Sequence, residues 1–523
     1  MLASEWLIDI GAYTGAGQVT LRYSVSGYVT GPDDDPANTV YEGRISSIGA
    51  FGRHLFGEGQ TLGAVSINMG DLVLANADGA LDDMVSSYGL DGQPFVLRRL
   101  PSPRAPLSAA EIVWTGVLEG VDSDSGMLMV RLKVYDRRRD VDIPIQKDTY
   151  GGTSTSAGAT ADGSPDMKGN LKPLCFGACF SVPATVVNAH NAMLQFSASP
   201  LAMIALMDGG AELVNDGDVA NLAALAAATG NPGHYKTCLA LGMAKPFGTV
   251  NGKPETIWTA DILEGGSPPE RSPGMVVYRM MDKIGLADQL DADSLMAFLS
   301  VATQEVGLYI DTETSALAAI RQVLGSVGAT MYPNAIGMFE VERFAGPGIP
   351  VAIITDDDII TASKDDVVTV SPNPDTQDDI PAYKVIVKYH RNWHVHTDSD
   401  LVGCANFGNP MRGSALQQEW LEEKAEDASV QVRHKLAKDL TFETCLTTAG
   451  AAAVEAARLL PLYSADREVI RISVAFDADN LLKLNKTVTV KLNRLGYDAG
   501  KPFVIIGRTD DYGAERTDLV LWG

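Results

Sequence analysis

Polar and apolar positions alternate with period two over most of the chain, and helical spacing takes over only in the middle and in a few islands. In MLMVRLKVYD (Met127–Asp136), Leu128, Val130, Leu132 and Val134 interleave with Met127, Met129, Arg131 and Lys133. That pattern predicts a strand with one buried and one wet face. EIVWTGVLEG (Glu111–Gly120) precedes it across the turn VDSDSG, so the two predict a hairpin. Trp6 to Ile10, YEGRI (Tyr41–Ile45), GAVSINMG (Gly63–Gly70), DLVLAN (Asp71–Asn76) and QPFVLRRL (Gln93–Leu100) have strand composition, and ALDDMVSSYG (Ala80–Gly89) reads as a short helix stopped by Gly89. At the other end KLNKTVTVKL, KPFVIIGRT and TDLVLWG predict three strands joined by a long and a tight turn, the last of them running to the final residue. Small antiparallel modules thus bracket the chain.

Between the brackets the pattern divides the sequence. Residues 1–146 form an N-terminal β-rich domain. Residues 147–170 are Gly/Ser/Thr-rich, hold little to bury and predict a linker. Residues 171–266 form a second β-rich domain with short strands in VPATVVNA, AMLQFSAS, AELVND, GHYKTCLAL and TIWTADILEG. There, DVANLAALAAATG predicts a helix with Asp218 as its N-cap and Gly230 as its stop. Residues 267–346 are an α+β segment. One helix starts with Pro273 at its first position, a second covers 291–304, and a third carries Leu317, Ile320, Leu324 and Val327 on one face. TMYPNAIGMFEVERF (Thr330–Phe344) follows as a hairpin. Residues 347–523 form a C-terminal β-rich domain. In it a hairpin is expected over Ala382–Asp398, a polar helix over Ala415–Ala428, and an alanine-rich helix from Thr447 ended by Pro461. The fold class expected is α+β and β-rich, with antiparallel barrel-like or sandwich modules at both ends and a helical middle.

Length and composition narrow the picture. A chain of 523 residues exceeds one core and predicts roughly three to four domains. The net charge of −25 disfavours general binding to nucleic acid or to anionic membrane. It serves solubility, and it also suits the wall of a conduit through which DNA passes without sticking. No apolar run reaches the ~20 residues of a membrane helix. MLASEWLIDIGAYTG lacks a basic region and a long apolar core, so no signal peptide is expected and synthesis is placed in the cytoplasm.

Candidate chemistry is sparse. Cys175, Cys179, Cys238, Cys404 and Cys445 are too few and too scattered for a disulfide framework. Cys175 and Cys179, with Cys238, fit a three-thiolate metal site only by stretching known spacings, and buried free thiols are the plainer reading. His390, His394 and His396 in YHRNWHVH form the sharpest cluster. Two same-face imidazoles with a third across a turn suit a metal, but no acidic ligand is interleaved, and a solvent-facing hairpin is preferred. His54, His190, His234 and His434 are isolated. Asp33–Asp35, Asp356–Asp358, the group Asp375, Asp378 and Asp379, and the DSDSG turn (Asp122–Gly126) lack calcium-loop spacing and read as turns. G-x-S-x-G, H-E-x-x-H and P-loop motifs are absent from the sequence. The expectation is a non-enzyme without catalytic, cofactor-binding or metal residues. Metal binding by the cysteines or the histidines is left open.

Five short motifs fall in order: KPLCFG (Lys172–Gly177), MDGG (Met207–Gly210), GHYKTCLALG (Gly233–Gly242), PFGTV (Pro246–Val250) and DILEG (Asp261–Gly265). With SVGATMYPNAIGMFEV and the closing PFVIIGRTDDY…LVLWG, they resemble tail tip and baseplate hub proteins of long-tailed, siphovirus-like bacteriophages. The N-terminal hairpin resembles the same family more loosely. The resemblance implies a virion structural protein at the tail tip. Such a hub caps the tail tube, forms part of the DNA exit channel, and presents two barrel-like domains per subunit, so that a homotrimer offers a pseudo-sixfold ring to a hexameric tube. The partners implied are further copies of the chain, the tail tube or distal tail protein, the tape measure, and tip or fibre proteins, with no sequence-specific nucleic acid and no stable membrane insertion. Genome ejection and host attachment are the processes it would serve. A distal-tail ring or receptor-proximal component, a cell-wall-degrading tip enzyme and a carbohydrate-binding adhesin are the alternatives.

Overall fold

The computed structural model describes residues 4–57, 61, 69–154, 160–248, 257–360, 369–477 and 480–523. It is β-rich, with several sheets and a helical middle, as the pattern predicts. The strand reading of Gly63–Gly70 lies mostly outside the described residues; the strand there is Met69–Ala75. Among the described residues no helix is long and apolar enough to cross a membrane.

The largest sheet has 15 strands and draws them from both ends of the chain. In neighbour order its N-terminal part runs Ile45–His54, Met69–Ala75, Met129–Asp136, Glu111–Ser123, Pro94–Leu100, Glu5–Thr14, Gly17–Ser24, Val40–Gly43 and Tyr28–Val29. The predicted hairpin forms with Val121 opposite Leu132. Val130, Leu132 and Val134 face inward while Met129, Arg131 and Lys133 face out; Leu128 precedes the strand and is exposed. Ile8, Ile10, Leu72, Leu74, Phe95 and Leu97 are fully buried beneath it, each contributing about 1.5–3 kcal/mol. From Ile45–His54 the sheet continues into Lys501–Asp511, Arg516–Trp522, Glu468–Ala475 and Thr369–Pro372. Thr487–Lys491 pairs beside Lys501–Asp511 and carries Pro350–Thr355 in parallel. The order starts and stops on different strands, so the described strands form an open sheet.

Two five-stranded sheets make the second unit. One runs Ala211–Glu212, Met203–Asp208, Trp258–Leu263, Leu174–Pro183 and Gly307–Ile310; the other contains Thr185–Asn188, Met193–Gln195, Met243–Pro246, His234–Cys238 and Val214–Asp218. Motif glycines sit where only a missing Cβ fits. Gly177 has φ +75°, and a Cβ there would lie 1.9 Å from the Val306 carbonyl oxygen. Gly210, in the turn joining Asp208 to Ala211, has φ +81° with the Leu401 side chain 2.8 Å from that position. The described part of the 147–170 stretch lies against this unit: Tyr150 is buried among Val187, Met193, Leu225 and Met243, and its hydroxyl donates to Gln195 Oε1 at 2.8 Å.

The middle helices form where expected. Pro273–Lys283 buries Val276, Val277, Met280 and Met281. Ala292–Val301 and Ala316–Gly325 are capped by the side chains of Asp291 and Ser315. Leu317, Ile320, Leu324 and Val327 are all buried, and Ala329–Pro333 pairs with Phe339–Arg343 as the hairpin.

Four expectations are corrected. The N-cap of the helix Leu222–Ala227 is Asn221, not Asp218; Asp218 ends a strand and accepts from Thr237 Oγ1 and Leu239 N, both at 2.8 Å. Ala382–Asp398 is not a hairpin: Lys384–Tyr389 is the central strand of a three-stranded sheet, and the backbone from His390 to Asp398 is irregular. The polar helix over Ala415–Ala428 is absent. Leu421–Glu426 is a strand that sets Glu426 opposite Lys384 and Glu422 opposite Lys388. The other neighbour, Asp439–Glu443, adds ion pairs to the same lysines at 3.2 and 3.1 Å. Opposite charges facing each other across strands override the helix preference of Glu and Lys. Finally, Ala449–Tyr463 runs through Pro461. A proline in the last turn forfeits only one helical hydrogen bond, and Leu459, Leu462 and Tyr463 are buried around it.

Candidate functional site

The join between the two ends of the chain is one long strand. The first half of Lys501–Asp511 pairs with Thr487–Lys491, Thr487 standing opposite Val504. After an irregularity between Ile505 and Gly507, the second half pairs with Ile45–His54, with Gly507 opposite His54 and Asp511 opposite Ala50. Arg508 lies in this half, buried. Its Nε donates to both oxygens of Asp510 at 3.0 Å, and its Nη1 donates to Asp477 Oδ2 at 3.0 Å and Asn480 Oδ1 at 2.9 Å. Tyr512 continues the strand into the N-terminal core, with ring centroids 4.6 Å from Trp6 and 5.7 Å from Phe51. Burial pushes its hydroxyl well above the usual tyrosine range. Arg508, Asp510 and Tyr512 fall in the closing PFVIIGRTDDY stretch, but nothing in the sequence pairs them with Asp477, Asn480 or the N-terminal core.

Two apolar features remain outside. Pro350–Thr355 pairs only with Thr487–Lys491 among the described residues, and along it Ile349 is 91% and Ile353 63% exposed. Phe407, 88% exposed, and Met411 stand on the loop between Asp400 and Arg412.

The histidine cluster separates into two environments. His390 stacks on Phe180 at 3.9 Å between centroids, its Nδ1 lies 3.3 Å from the Thr447 carbonyl oxygen, and burial lowers its pKa. His394 and His396 turn toward each other, rings nearly perpendicular with centroids 4.8 Å apart. They are joined by Asp400, so that one ligand atom from each of the three lies within 4.8 Å of the others. The loop is pinned from both sides. His394 N donates to Ser181 O and Ser181 Oγ donates to His394 O, both at 2.8 Å, and His396 N donates to Leu416 O at 2.9 Å. Burial first, and the neighbouring His394 second, hold His396 down at about 4. Asp400 is not among the histidine-cluster residues expected from the sequence; it stands four positions after His396 in HTDSD, and only a loop, not the expected strand, folds it back. On the adjoining strand Asp261 accepts from Ser181 N at 2.9 Å, and burial raises its carboxyl to about 6.

The other candidates resolve into local roles. Cys175 and Cys179 are buried with sulfurs 3.5 Å apart, whereas Cys238 lies in a separate cluster with Tyr150 and Met243. Cys445 is buried and Cys404 exposed. His234 Nδ1 is 2.8 Å from Asp216, His434 is 3.3 Å from Asp466, and His190 is exposed. Acids serve turns: Asp34 accepts from Gly31 N at 2.7 Å, Asp124 from Leu128 N at 2.7 Å, and Asp358 from Thr355 N at 2.8 Å. Asp375 ties Thr61 to Trp522, and Asp378 pairs with Lys438.

No protein-family model matches the sequence, and no curated protein matches it. Solved structures of phage tail proteins do, at low identity. The chain is similar to a tail protein from Neisseria meningitidis MC58 at 9% identity and TM-score 0.41, covering 98% of this chain and 96% of that one. It is similar to the 43 kDa tail protein of prophage MuSo2 from Shewanella oneidensis at 10% identity and TM-score 0.39, covering 93% and 96%. Similarity to the prophage tail protein gp18 from Listeria monocytogenes EGD-e stands at 7% identity and TM-score 0.39, covering 99% and 94%.

Proposed function

We propose that this chain is a non-enzymatic structural subunit of a phage tail, and within the tail the tip hub that assembles with copies of itself. The observation that carries the reading is the shared sheet. Strands from the two ends are continuous through Ile45–His54 and Lys501–Asp511, so both terminal modules share one sheet. Among the described residues the strand Pro350–Thr355 meanwhile pairs on one edge only, and Ile353 on it and Ile349 just before it are exposed. Open, apolar edges call for a partner strand, and cyclic symmetry among copies is the common way to cover them. The net charge of −25 suits a ring through which DNA slides. The reading agrees in kind with the phage tail proteins to which the chain is similar. Its location is the virion, at the tail tip.

The test is the mass of the purified full chain by light scattering over a range of concentrations. A species of three times 55.5 kDa supports a hub that adapts threefold to sixfold symmetry. A hexamer favours a distal-tail ring. A chain that stays monomeric at the highest concentration reached, and that clears peptidoglycan in a zymogram, overturns the structural reading in favour of a tip enzyme.

A further inference from the structure

We propose that His394, His396 and Asp400 form a binding site for a divalent transition-metal ion of the zinc type, which closes the loop after Trp393 on itself and holds its fold. The three residues come from one short stretch, and their ligand atoms converge within 4.8 Å. Metal–ligand bonds of about 2.0–2.2 Å require the outermost pair to approach further, and side-chain torsions of His394 and Asp400 can supply that.

A second observation points independently to a ligand. His396 is only 2% exposed, and its Nδ1 has no hydrogen-bond partner among the described residues; the same holds for the buried Nε2 of His394. Buried polar atoms in folded proteins are nearly always paired, because leaving them unpaired forfeits their hydration. Two orphaned imidazole nitrogens beside a carboxylate have a common partner in a metal ion.

The surroundings fit a structural site. Thr397 N and Oγ1 both donate to Asp400 Oδ2 at 2.7 Å, which orients the carboxylate. Thr259 Oγ1 stands 3.5 Å from His396 Nε2, on the far side of the ring from the orphaned Nδ1. The Thr259 hydroxyl can accept from Nε2–H, the tautomer that leaves Nδ1 free to ligate. Two imidazoles and one carboxylate suit zinc, cobalt or iron rather than calcium or magnesium, which take oxygen ligands. The ion would stiffen the loop itself, which the Ser181–His394 and Val402–Gly209 backbone bonds already attach to the second unit.

The experiment uses the full chain, purified without a polyhistidine tag, stripped with a chelator and dialysed against zinc. Metal content, the melting temperature with increasing zinc, and the absorption spectrum of the cobalt(II) form are read. The expected result is one zinc per chain, a melting temperature that climbs with free zinc, and a cobalt spectrum without thiolate bands. His394→Ala and the near-isosteric Asp400→Asn should each weaken zinc binding by at least the roughly 10–100-fold that loss of even a supporting group costs. Cys175→Ser with Cys179→Ser should leave it unchanged. Circular dichroism establishes that each variant is folded. A folded wild-type chain that retains no zinc overturns the proposal. So does full zinc retention by both ligand variants, or a cobalt–thiolate band, which would move the site to the cysteine pair.

Discussion

Gly507 lies directly opposite His54, and a Cβ on Gly507 would come within 2.3 Å of His54 Nδ1 and 3.1 Å of Val520 Cβ. The approach is close because this is where the C-terminal strand leaves one partner and takes up Ile45–His54. Its backbone φ is not in the left-handed region, so the constraint is space alone. Gly507→Val should overpack the join and cost about 1–3 kcal/mol, with Gly507→Ala milder, measured by urea unfolding. Gly120→Ala is the control: nothing lies within 4 Å of its Cβ position, and little change is expected.

Next to it, Arg508 answers to Asp510 and Asp477 inside the protein, all three nearly fully buried. Truncating one partner of a buried charge cluster leaves the others uncompensated. Arg508→Met should therefore destabilise by about 3–5 kcal/mol, read as a lower midpoint in denaturant. Adding Asp510→Leu should restore part of the loss, since one stranded carboxylate is then gone. Burial also makes the network much less sensitive to salt than an exposed pair.

The helices of the middle segment were legible because Pro273 and Asp291 mark the starts of the first two and because Leu317, Ile320, Leu324 and Val327 repeat at helical spacing in the third. The period-two strands were legible for the same reason. Leu421–Glu426 was not: its residues favour a helix locally, and only the lysines of Lys384–Tyr389, more than thirty positions away in the sequence, make it a strand. The pairing of Ile45–His54 with Lys501–Asp511 was hidden too, since nothing local encodes a partner across almost the whole chain. At the histidines, the sequence put His394 and His396 together but not Asp400, because the loop that folds it back has no periodicity.

Asp261 gives the chain a pH dependence opposite in sign to that of an ion-paired carboxylate. Burial raises its carboxyl from 3.8 to about 6, so between those values the folded chain binds more protons than the unfolded one. Stability from this group is present below the unfolded value and is lost as pH rises through about 6. The effect is at most about 3 kcal/mol. Asp261→Asn keeps an oxygen to accept from Ser181 N and removes the titration. The variant should match the wild type near pH 4 and exceed it at pH 7, in melting curves taken across that range. Equal stabilities at both values would show that the carboxyl is not desolvated.

Ile353 is exposed on one face of Pro350–Thr355, a strand paired on one edge only among the described residues, and its neighbour Ile354 is buried on the other face. Because side chains alternate across a strand, Ile353→Lys places a charge outward without touching the core. The change should shift stability by no more than about 0.5 kcal/mol. If copies of the chain meet at this edge, a lysine there must be desolvated against an apolar partner, and association weakens. Ile349→Lys, at the start of the same edge, should add to the effect. Sedimentation of the single and double variants should show the oligomer replaced by smaller species at unchanged melting temperature. An undiminished oligomer would place the contact elsewhere, with the exposed Phe407 and Met411 as the next positions to charge.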